Sequence, residues 1–226
     1  MTVEIRRGTD RFEERGDGYL TRHSLSFGPA YDADNLRFGP MVCHDDHLLA
    51  SGRGFETHRH SGLVVVSYVV SGALAHTGPT GEHEVPAGSV AVLRTGAGVE
   101  HSEVAAAPQT RFVQVWLADD AQAGEPSYDV VADGGVDGGV DGGVDGGVEP
   151  LPGARLRVVR LADGETATLP AAALAHVFVA RGALLRSSLA EPLADGDAFR
   201  FADEPAHEVT AAIATTLLVW TFDTPA

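Results

Sequence analysis

Residues 52–72 read GRGFETHRHSGLVVVSYVVSG, and this stretch sets the first expectations for the whole chain. Its second half, residues 63–70, is rich in β-branched side chains and ends at Ser-Gly, which is typical of a strand followed by a turn. Its first half places His58 and His60 two residues apart. Because side chains alternate between the two faces of a strand, both imidazoles are expected on one face, about 7 Å apart along the chain.

Similar short apolar runs recur along the chain and are separated by Gly, Pro and Asp, whereas long helical patterns are scarce. Strands that recur at short spacing with turn signals predict antiparallel sandwiches or barrels. We therefore predict an all-β chain. In one of these runs Phe112, Gln114 and Trp116 alternate with other residues, which indicates a strand with two differently filled faces. The further runs are residues 89–93, 110–117 and 215–222.

The repeat Asp-Gly-Gly-Val occurs four times over residues 133–148. Glycine makes backbone ordering costly, and the repeated Asp adds charge repulsion, so a flexible linker is the preferred interpretation. Calcium-binding Gly/Asp repeats have a period of about nine residues, which this repeat does not match. We predict a linker over 133–150 between an N-terminal domain, residues 1–132, and a C-terminal domain, residues 151–226. Three weak sequence echoes in the same order suggest that the two domains are duplicated β-barrels.

The chain is strongly acidic, with 32 Asp and Glu against 16 basic residues, all of them Arg, and a net charge of −16. Such a surface repels phosphates, so neither nucleic-acid nor membrane binding is expected. The N-terminal residues are too charged for a signal peptide, and we expect a cytoplasmic monomer. The single cysteine, Cys43, excludes an intramolecular disulfide, and its apolar neighbours predict a buried packing residue.

A second pair of candidate ligands, His101 and Glu103, repeats the two-residue spacing of His58 and His60. If the two segments are neighbouring strands of one barrel, three imidazoles and one carboxylate face its interior. This donor set suits a divalent transition metal and leaves positions open for substrate or dioxygen. A single His-x-His pair is often surface decoration, but two matched pairs favour a metal site.

The remaining aromatic and histidine side chains are predicted to have packing, structural or solvent-facing roles. Trp116 and Trp220 are predicted to be core or domain-interface rings, and Arg59 is predicted to point outward. Phe55 could pack against a flat aromatic ligand, but a structural role is preferred. The histidines without a spaced partner are interpreted as structural or solvent-facing: His23, His44, His47, His76, His83 and His176.

Three segments resemble a known family. Residues 52–60 fit the first cupin motif, in which a glycine precedes His-x-His. Residues 95–103, TGAGVEHSE, resemble the signature of the pirin family, the two-domain cupins. The segment from His23 to Asp32 also resembles bacterial pirins, as does Asp45-Asp46. The resemblance extends over about residues 5–117.

The resemblance implies two cupin (jelly-roll-like) β-barrels in tandem, of which the N-terminal barrel binds one metal. Several bacterial pirins are quercetinases, which implies a metal-dependent dioxygenase that opens a flavonol-type substrate with dioxygen and releases carbon monoxide. Fe²⁺ is the first expectation, with Ni²⁺, Cu²⁺, Mn²⁺ and Zn²⁺ as alternatives. Glu103 would be both a ligand and the catalytic base. The ligands carried over are His58, His60, His101 and Glu103, whereas His207 and Glu208 of the second barrel are expected to be vestigial.

The sequence departs from the family where an acid is common after His-x-His, since it has Val64 and Val65 there. Two alternatives to a dioxygenase function therefore stay open. One is a non-catalytic metal- or redox-sensing pirin that regulates a protein partner. The other is a structural cupin with an adventitious metal.

Overall fold

The computed structural model describes residues 1–119, 124–135 and 147–223. These residues form 21 strands and two short 3₁₀ segments, Gly8–Asp10 and Ala132–Gly135. The all-β prediction is therefore confirmed. Most of the Asp-Gly-Gly-Val repeat lies outside the described residues, so the linker stays a prediction there. None of the described residues forms a helix with the length and apolar character that crossing a membrane requires.

The chain divides into an N-terminal unit, Arg11–Gly134, and a second unit made of Met1–Asp10 and Gly135–Ala226. The strand bounds follow in chain order: β1 (Thr2–Arg6), β2 (Phe12–Gly16), β3 (Tyr19–His23), β4 (Met41–Leu49), β5 (Gly54–His60), β6 (Leu63–Ser71), β7 (Ala73–Gly78), β8 (Gly81–Pro86), β9 (Val90–Arg94), β10 (Val99–Ala105), β11 (Thr110–Ala118), β12 (Ser127–Val131), β13 (Val148–Leu151), β14 (Ala154–Leu161), β15 (Thr166–Leu169), β16 (Ala172–Arg181), β17 (Ala183–Leu184), β18 (Leu193–Ala194), β19 (Ala198–Glu204), β20 (His207–Thr210) and β21 (Thr215–Phe222).

The N-terminal unit consists of two sheets with an apolar core that includes Val65, Leu93 and Phe112. One sheet has the order β12-β9-β6-β11-β4-β3-β2, and the other has the order β5-β10-β7-β8. Strand β6 lies inside the larger sheet, which explains why its side chains form an almost unbroken apolar run. Cys43 on β4 is buried, as predicted, and burial raises the pKa of its thiol well above the usual value.

The second unit has a six-stranded sheet in the order β1-β19-β16-β21-β14-β13 and two small two-stranded sheets. Aliphatic and Phe side chains fill its core, including Val177, Phe199 and Leu217. His207 and Glu208 are the two residues expected to be vestigial ligands in this unit. His207 Nε2 lies 3.1 Å from Glu204 Oε2, and Glu208 is exposed.

Two strands lie across the domain boundaries expected from the sequence. Strand β1, assigned to the first domain, pairs antiparallel with β19 and extends the C-terminal sheet from Thr2↔Ala202 to Arg6↔Ala198. Residues 148–150, assigned to the linker, belong to β13. The physical reason is that an edge strand offers unpaired N–H and C=O groups to any segment that can reach it, regardless of sequence separation.

A buried ion-pair cluster joins Asp46 on β4 to Arg111 on β11 and to Arg11, and it gives a testable prediction. The Asp46 carboxylate, 2% exposed, contacts Arg111 through both oxygens at 2.8 and 2.9 Å and Arg11 at 3.0 Å. Burial alone would raise the pKa of Asp46, but the two guanidinium groups outweigh it and lower that pKa. Asp46→Asn is expected to lower the free energy of unfolding by about 3 kcal/mol at pH 7, because it leaves buried charges unpaired.

The pH dependence follows from the direction of that shift. The stabilisation by ionised Asp46 is complete above the unfolded-state pKa of about 3.9 and is lost as the pH falls through the lower folded-state pKa. Urea unfolding at pH 7 and pH 3 should therefore show a difference between wild type and Asp46→Asn that shrinks in acid. Asp129→Asn, which removes the exposed pair with Arg94, is the control and should cost at most about 1 kcal/mol. A stability difference between wild type and Asp46→Asn that does not change with pH would contradict a stabilising role for ionised Asp46.

Candidate metal centre

Three histidines converge on one point inside the N-terminal unit. His58 and His60 lie on β5, and His101 lies on the adjacent antiparallel strand β10, where it pairs directly with His58. One nitrogen from each ring lies within 4.8 Å of the other two, and the Nε2 atoms of His58 and His60 are 3.1 Å apart. Among the described residues, no other group of three or more His, Cys, Asp or Glu side chains is close enough to share an ion.

A β-bulge in β5 lies directly before His58. The register jumps from His101↔His58 to Glu103↔Phe55, so β5 carries one extra residue between these pairs. His58 Nδ1 donates a hydrogen bond of 2.7 Å to the Glu56 carbonyl. Since a carbonyl can only accept, Nδ1 carries the proton of the neutral ring, and Nε2, which lies 3.1 Å from His60 Nε2, has the lone pair that can bind a ligand.

The imidazoles of His60 and His101 are held neutral, which is the form that binds a metal. Burial lowers the pKa of His60 to about 4, and burial together with neighbouring histidines lowers the pKa of His101 to about 3. His101 Nδ1 lies 3.2 Å from His76 Nε2, whereas His101 Nε2 is buried without a hydrogen-bond partner. An unpaired buried acceptor costs about 1–3 kcal/mol, and a cation at this position would offset that cost. The residues present therefore fit a divalent metal.

Glu103 is placed differently from the three histidines. Its carboxylate is buried, accepts hydrogen bonds of 2.9 and 2.8 Å from Gln114 Nε2, and lies 3.4 Å from the Ser67 hydroxyl. It does not belong to the group whose ligand atoms lie within 4.8 Å of one another. Burial raises the pKa of Glu103, although Gln114, His58 and Ser67 oppose the shift.

Gln114 is a site residue that sequence reasoning did not select. Trp116 Nε1 donates a hydrogen bond of 2.8 Å to Gln114 Oε1, which fixes the amide so that its NH₂ group faces Glu103. The alternation of Phe112, Gln114 and Trp116 along β11 was the available signal. A buried glutamine on the inward face of a strand needs polar partners, and Glu103 and Trp116 supply them.

His58, His60 and Glu103 line a cavity of about 410 Å³ in the N-terminal unit. Trp116, predicted as a core or domain-interface ring, is only partly buried, and its ring centroid lies 4.6 Å from that of His60. Phe55, also predicted to have a packing role, lines the cavity and contacts the rings of Tyr19 and His47. The other wall residues come mainly from β2, β3 and β4: Glu14, Tyr19, Thr21, His23, Asp45 and His47.

Three histidines interpreted as structural or solvent-facing contribute to this site. His23 and His47 line the cavity, and His76 contacts His101. A signal was present, because Thr21 and His23, like Asp45 and His47, show the same two-residue spacing as His58 and His60. Their partners come from a neighbouring strand, however, and only the β3–β4 register brings His23 opposite Asp45. Arg59 is exposed, as predicted.

Comparison with known proteins agrees with this geometry. The Pirin family model matches residues 7–117. A Mycobacterium tuberculosis protein named "Putative quercetin 2,3-dioxygenase" is 36% identical over 97% of this chain and 94% of its own length. The bacterial pirin YhhW of Escherichia coli, solved in complex with nickel(II), has a TM-score of 0.84 at 21% identity, with 100% of both chains covered. Quercetin 2,3-dioxygenase of Acinetobacter baumannii has a TM-score of 0.75 at 19% identity, over 97% of this chain and 85% of that one. These likenesses confirm the tandem cupin barrels, and at 36% identity over nearly the whole chain the protein belongs to the pirin family.

Proposed function

We propose that this protein is a metal-dependent dioxygenase that opens a flavonol-type substrate with dioxygen, as a quercetin 2,3-dioxygenase does. The observation that carries the proposal is the convergence of His58, His60 and His101 beside a buried carboxylate in a cavity with aromatic walls. The names of the Mycobacterium tuberculosis and Acinetobacter baumannii proteins support the same reaction class.

The three histidines would hold one divalent transition metal through neutral imidazole nitrogens. Imidazole suits iron, nickel, copper and zinc, and Fe²⁺ is our first choice, although the Escherichia coli pirin was solved with nickel(II). Such an ion, when bound, supplies Lewis-acid polarisation of substrate oxygens. His76 would fix the tautomer of His101 from behind, as outer-shell partners of metal-bound histidines do.

Glu103 is the proposed base that accepts the hydroxyl proton of the flavonol. Its raised pKa brings the protonated and ionised forms closer in energy near neutral pH, which suits a group that takes up and releases a proton. Gln114 and Ser67 hold the carboxylate in place before substrate enters.

The cavity walls match a flat aromatic ligand in size and chemistry. A volume of about 410 Å³ lies within the ordinary range for small-molecule sites, about 300–1,000 Å³. Phe27, Phe55 and Trp116 supply apolar ring surfaces, and Phe27 contacts Trp116 edge to face at 5.3 Å. These rings would position the substrate and exclude water from its reacting face.

A regulatory role is the second candidate, and Val64 and Val65 favour it. These two positions of β6, where an acid is common in the family, hold buried valines that are 0% and 2% exposed. A redox function based on the thiol is disfavoured, because Cys43 is buried and its pKa is raised well above the usual value. Redox sensing would therefore have to reside at the metal.

The proposed function is tested by loading the metal-free protein with Fe²⁺, Ni²⁺, Cu²⁺, Mn²⁺ or Zn²⁺ in turn. Quercetin absorbance and released carbon monoxide are followed under air and under nitrogen. We expect consumption of quercetin, with release of carbon monoxide, in air with at least one metal and none under nitrogen. Absence of consumption with every metal would overturn the enzyme proposal and favour the regulatory one.

A further inference from the structure

We infer that His23, oriented by Asp45, forms a second polar subsite in the metal cavity and binds an acceptor oxygen on the part of an aromatic substrate remote from the metal. This inference rests on the proposed function and names the substrate class more narrowly: polyhydroxylated aromatic compounds with a phenolic or carbonyl oxygen on the distal ring. Asp45 is the positioning residue in this arrangement.

Asp45 orients the His23 ring, which donates a hydrogen bond from Nε2 when the ring is protonated. His23 and Asp45 are directly opposite on β3 and β4, and His23 Nδ1 lies 2.9 Å from Asp45 Oδ1. Both side chains are buried, 3% and 4% exposed. A carboxylate accepts the Nδ1 hydrogen, so the ring cannot rotate freely, and Nε2 is the atom left for a ligand. The same third-group orientation positions a catalytic histidine in hydrolytic triads.

The contact that now occupies Nε2 is weak and replaceable. Glu14 Oε2 lies 3.5 Å from His23 Nε2, at the limit of a polar contact, and the Glu14 side chain is 45% exposed on the edge strand β2. The other carboxylate oxygen of Glu14 accepts a 2.7 Å hydrogen bond from the Tyr19 hydroxyl. A substrate oxygen can therefore replace Glu14 at His23 while Glu14 keeps its hydrogen bond with Tyr19.

The charges around His23 favour its protonated form, in which the ring donates a hydrogen bond rather than accepting one. The titratable groups near His23 are Asp45, Glu14 and the buried His47. Burial opposes protonation of His23, but the hydrogen bonds and negative charges of Asp45 and Glu14 outweigh it and raise its pKa. His47, whose Nδ1 lies 2.8 Å from the Thr21 hydroxyl, has a pKa lowered mainly by burial and adds little positive charge.

A run of aromatic contacts connects the subsite with the metal centre. His23 stacks on Phe27 at 5.3 Å, Phe27 meets Trp116 at 5.3 Å, and Trp116 meets His60 at 4.6 Å. All four residues line the one cavity. A flat substrate lying along these rings would place one edge at the histidine cluster and present the opposite ring to His23.

The test compares quercetin, which carries hydroxyls on its distal rings, with 3-hydroxyflavone, which lacks them. Equilibrium binding of each to the metal-loaded protein is measured under nitrogen, so that no turnover is needed. His23→Gln is expected to weaken quercetin binding about tenfold to a hundredfold, as for loss of a hydrogen bond to a charged group. Binding of 3-hydroxyflavone should change less than about twofold, and Asp45→Asn should shift quercetin affinity in the same direction.

Metal content and melting temperature are measured for each variant, and His207→Gln in the second unit is the matched control. Equal weakening of both ligands, or no change for quercetin, would overturn the inference. Binding with the expected selectivity but without turnover in air would support the subsite while refuting the dioxygenase. Failure of the wild type to bind either flavonol would overturn both the substrate class and this inference.

Discussion

Glu103→Gln is expected to lower flavonol turnover per bound metal by about 10²–10⁴-fold, the usual cost of removing a general base. The substituted amide cannot take up the hydroxyl proton of the substrate. Its oxygen can still accept a hydrogen bond from Gln114 Nε2, which now holds the Glu103 carboxylate at 2.8 and 2.9 Å. Since His58, His60 and His101 are the proposed main source of metal affinity, much of the metal should remain.

The measurement is quercetin consumption in air, divided by the metal content of the same sample. Glu100→Gln is the matched control, because Glu100 lies on the same strand with its side chain exposed. The control should retain the rate of the wild type within about twofold. An unchanged rate per metal in Glu103→Gln would mean that Glu103 does not take the proton and that another group does.

Replacing His58 and His60 together by Ala is expected to reduce bound metal from close to one ion per chain to almost none. Changing a mere outer-shell partner of a metal ligand costs about 10–100-fold in affinity, so losing two ligands should exceed about 100-fold. His101 remains, but one buried imidazole cannot retain the ion by itself. Removing His60 also takes away a ring that packs on Trp116.

Metal content is measured by elemental analysis after anaerobic purification and dialysis against a weak chelator. The double variant His83→Ala, His207→Ala removes the same number of imidazoles from other parts of the chain and should keep its metal. Circular dichroism verifies that both proteins are folded. Full metal occupancy in the His58→Ala, His60→Ala protein would refute the assigned site.

The strands were predictable because their signals are local. Residues 63–70 and 215–222 were expected as strands, and the structure has Leu63–Ser71 and Thr215–Phe222. Burial on both faces of a strand inside a sheet selects β-branched and aromatic residues at nearly every position, which can be recognised without knowing the neighbours. The two-residue spacing of His58 and His60 is local in the same sense, since the pleat alone places both rings on one face.

The residues around the histidines were not predictable, because their partners are fixed by register between distant segments. His23 meets Asp45, and Glu103 meets Gln114, only once β3 pairs with β4 and the two sheets pack face to face. A shift of one residue in any of these pairings would turn the side chains to the opposite face. The bulge in β5, which no motif announced, likewise changes the register between Phe55 and His58.

The sequence by itself therefore determined the all-β class, the main strands and the histidines that converge on the candidate metal centre, because alternation along a strand is a property of the local chain. Only the tertiary structure decided that β1 completes the C-terminal sheet, that Gln114 holds the carboxylate of Glu103, and that His23 faces the same cavity as His60. Those outcomes depend on which strand edges meet and in which register, and long-range packing of the whole unit sets both.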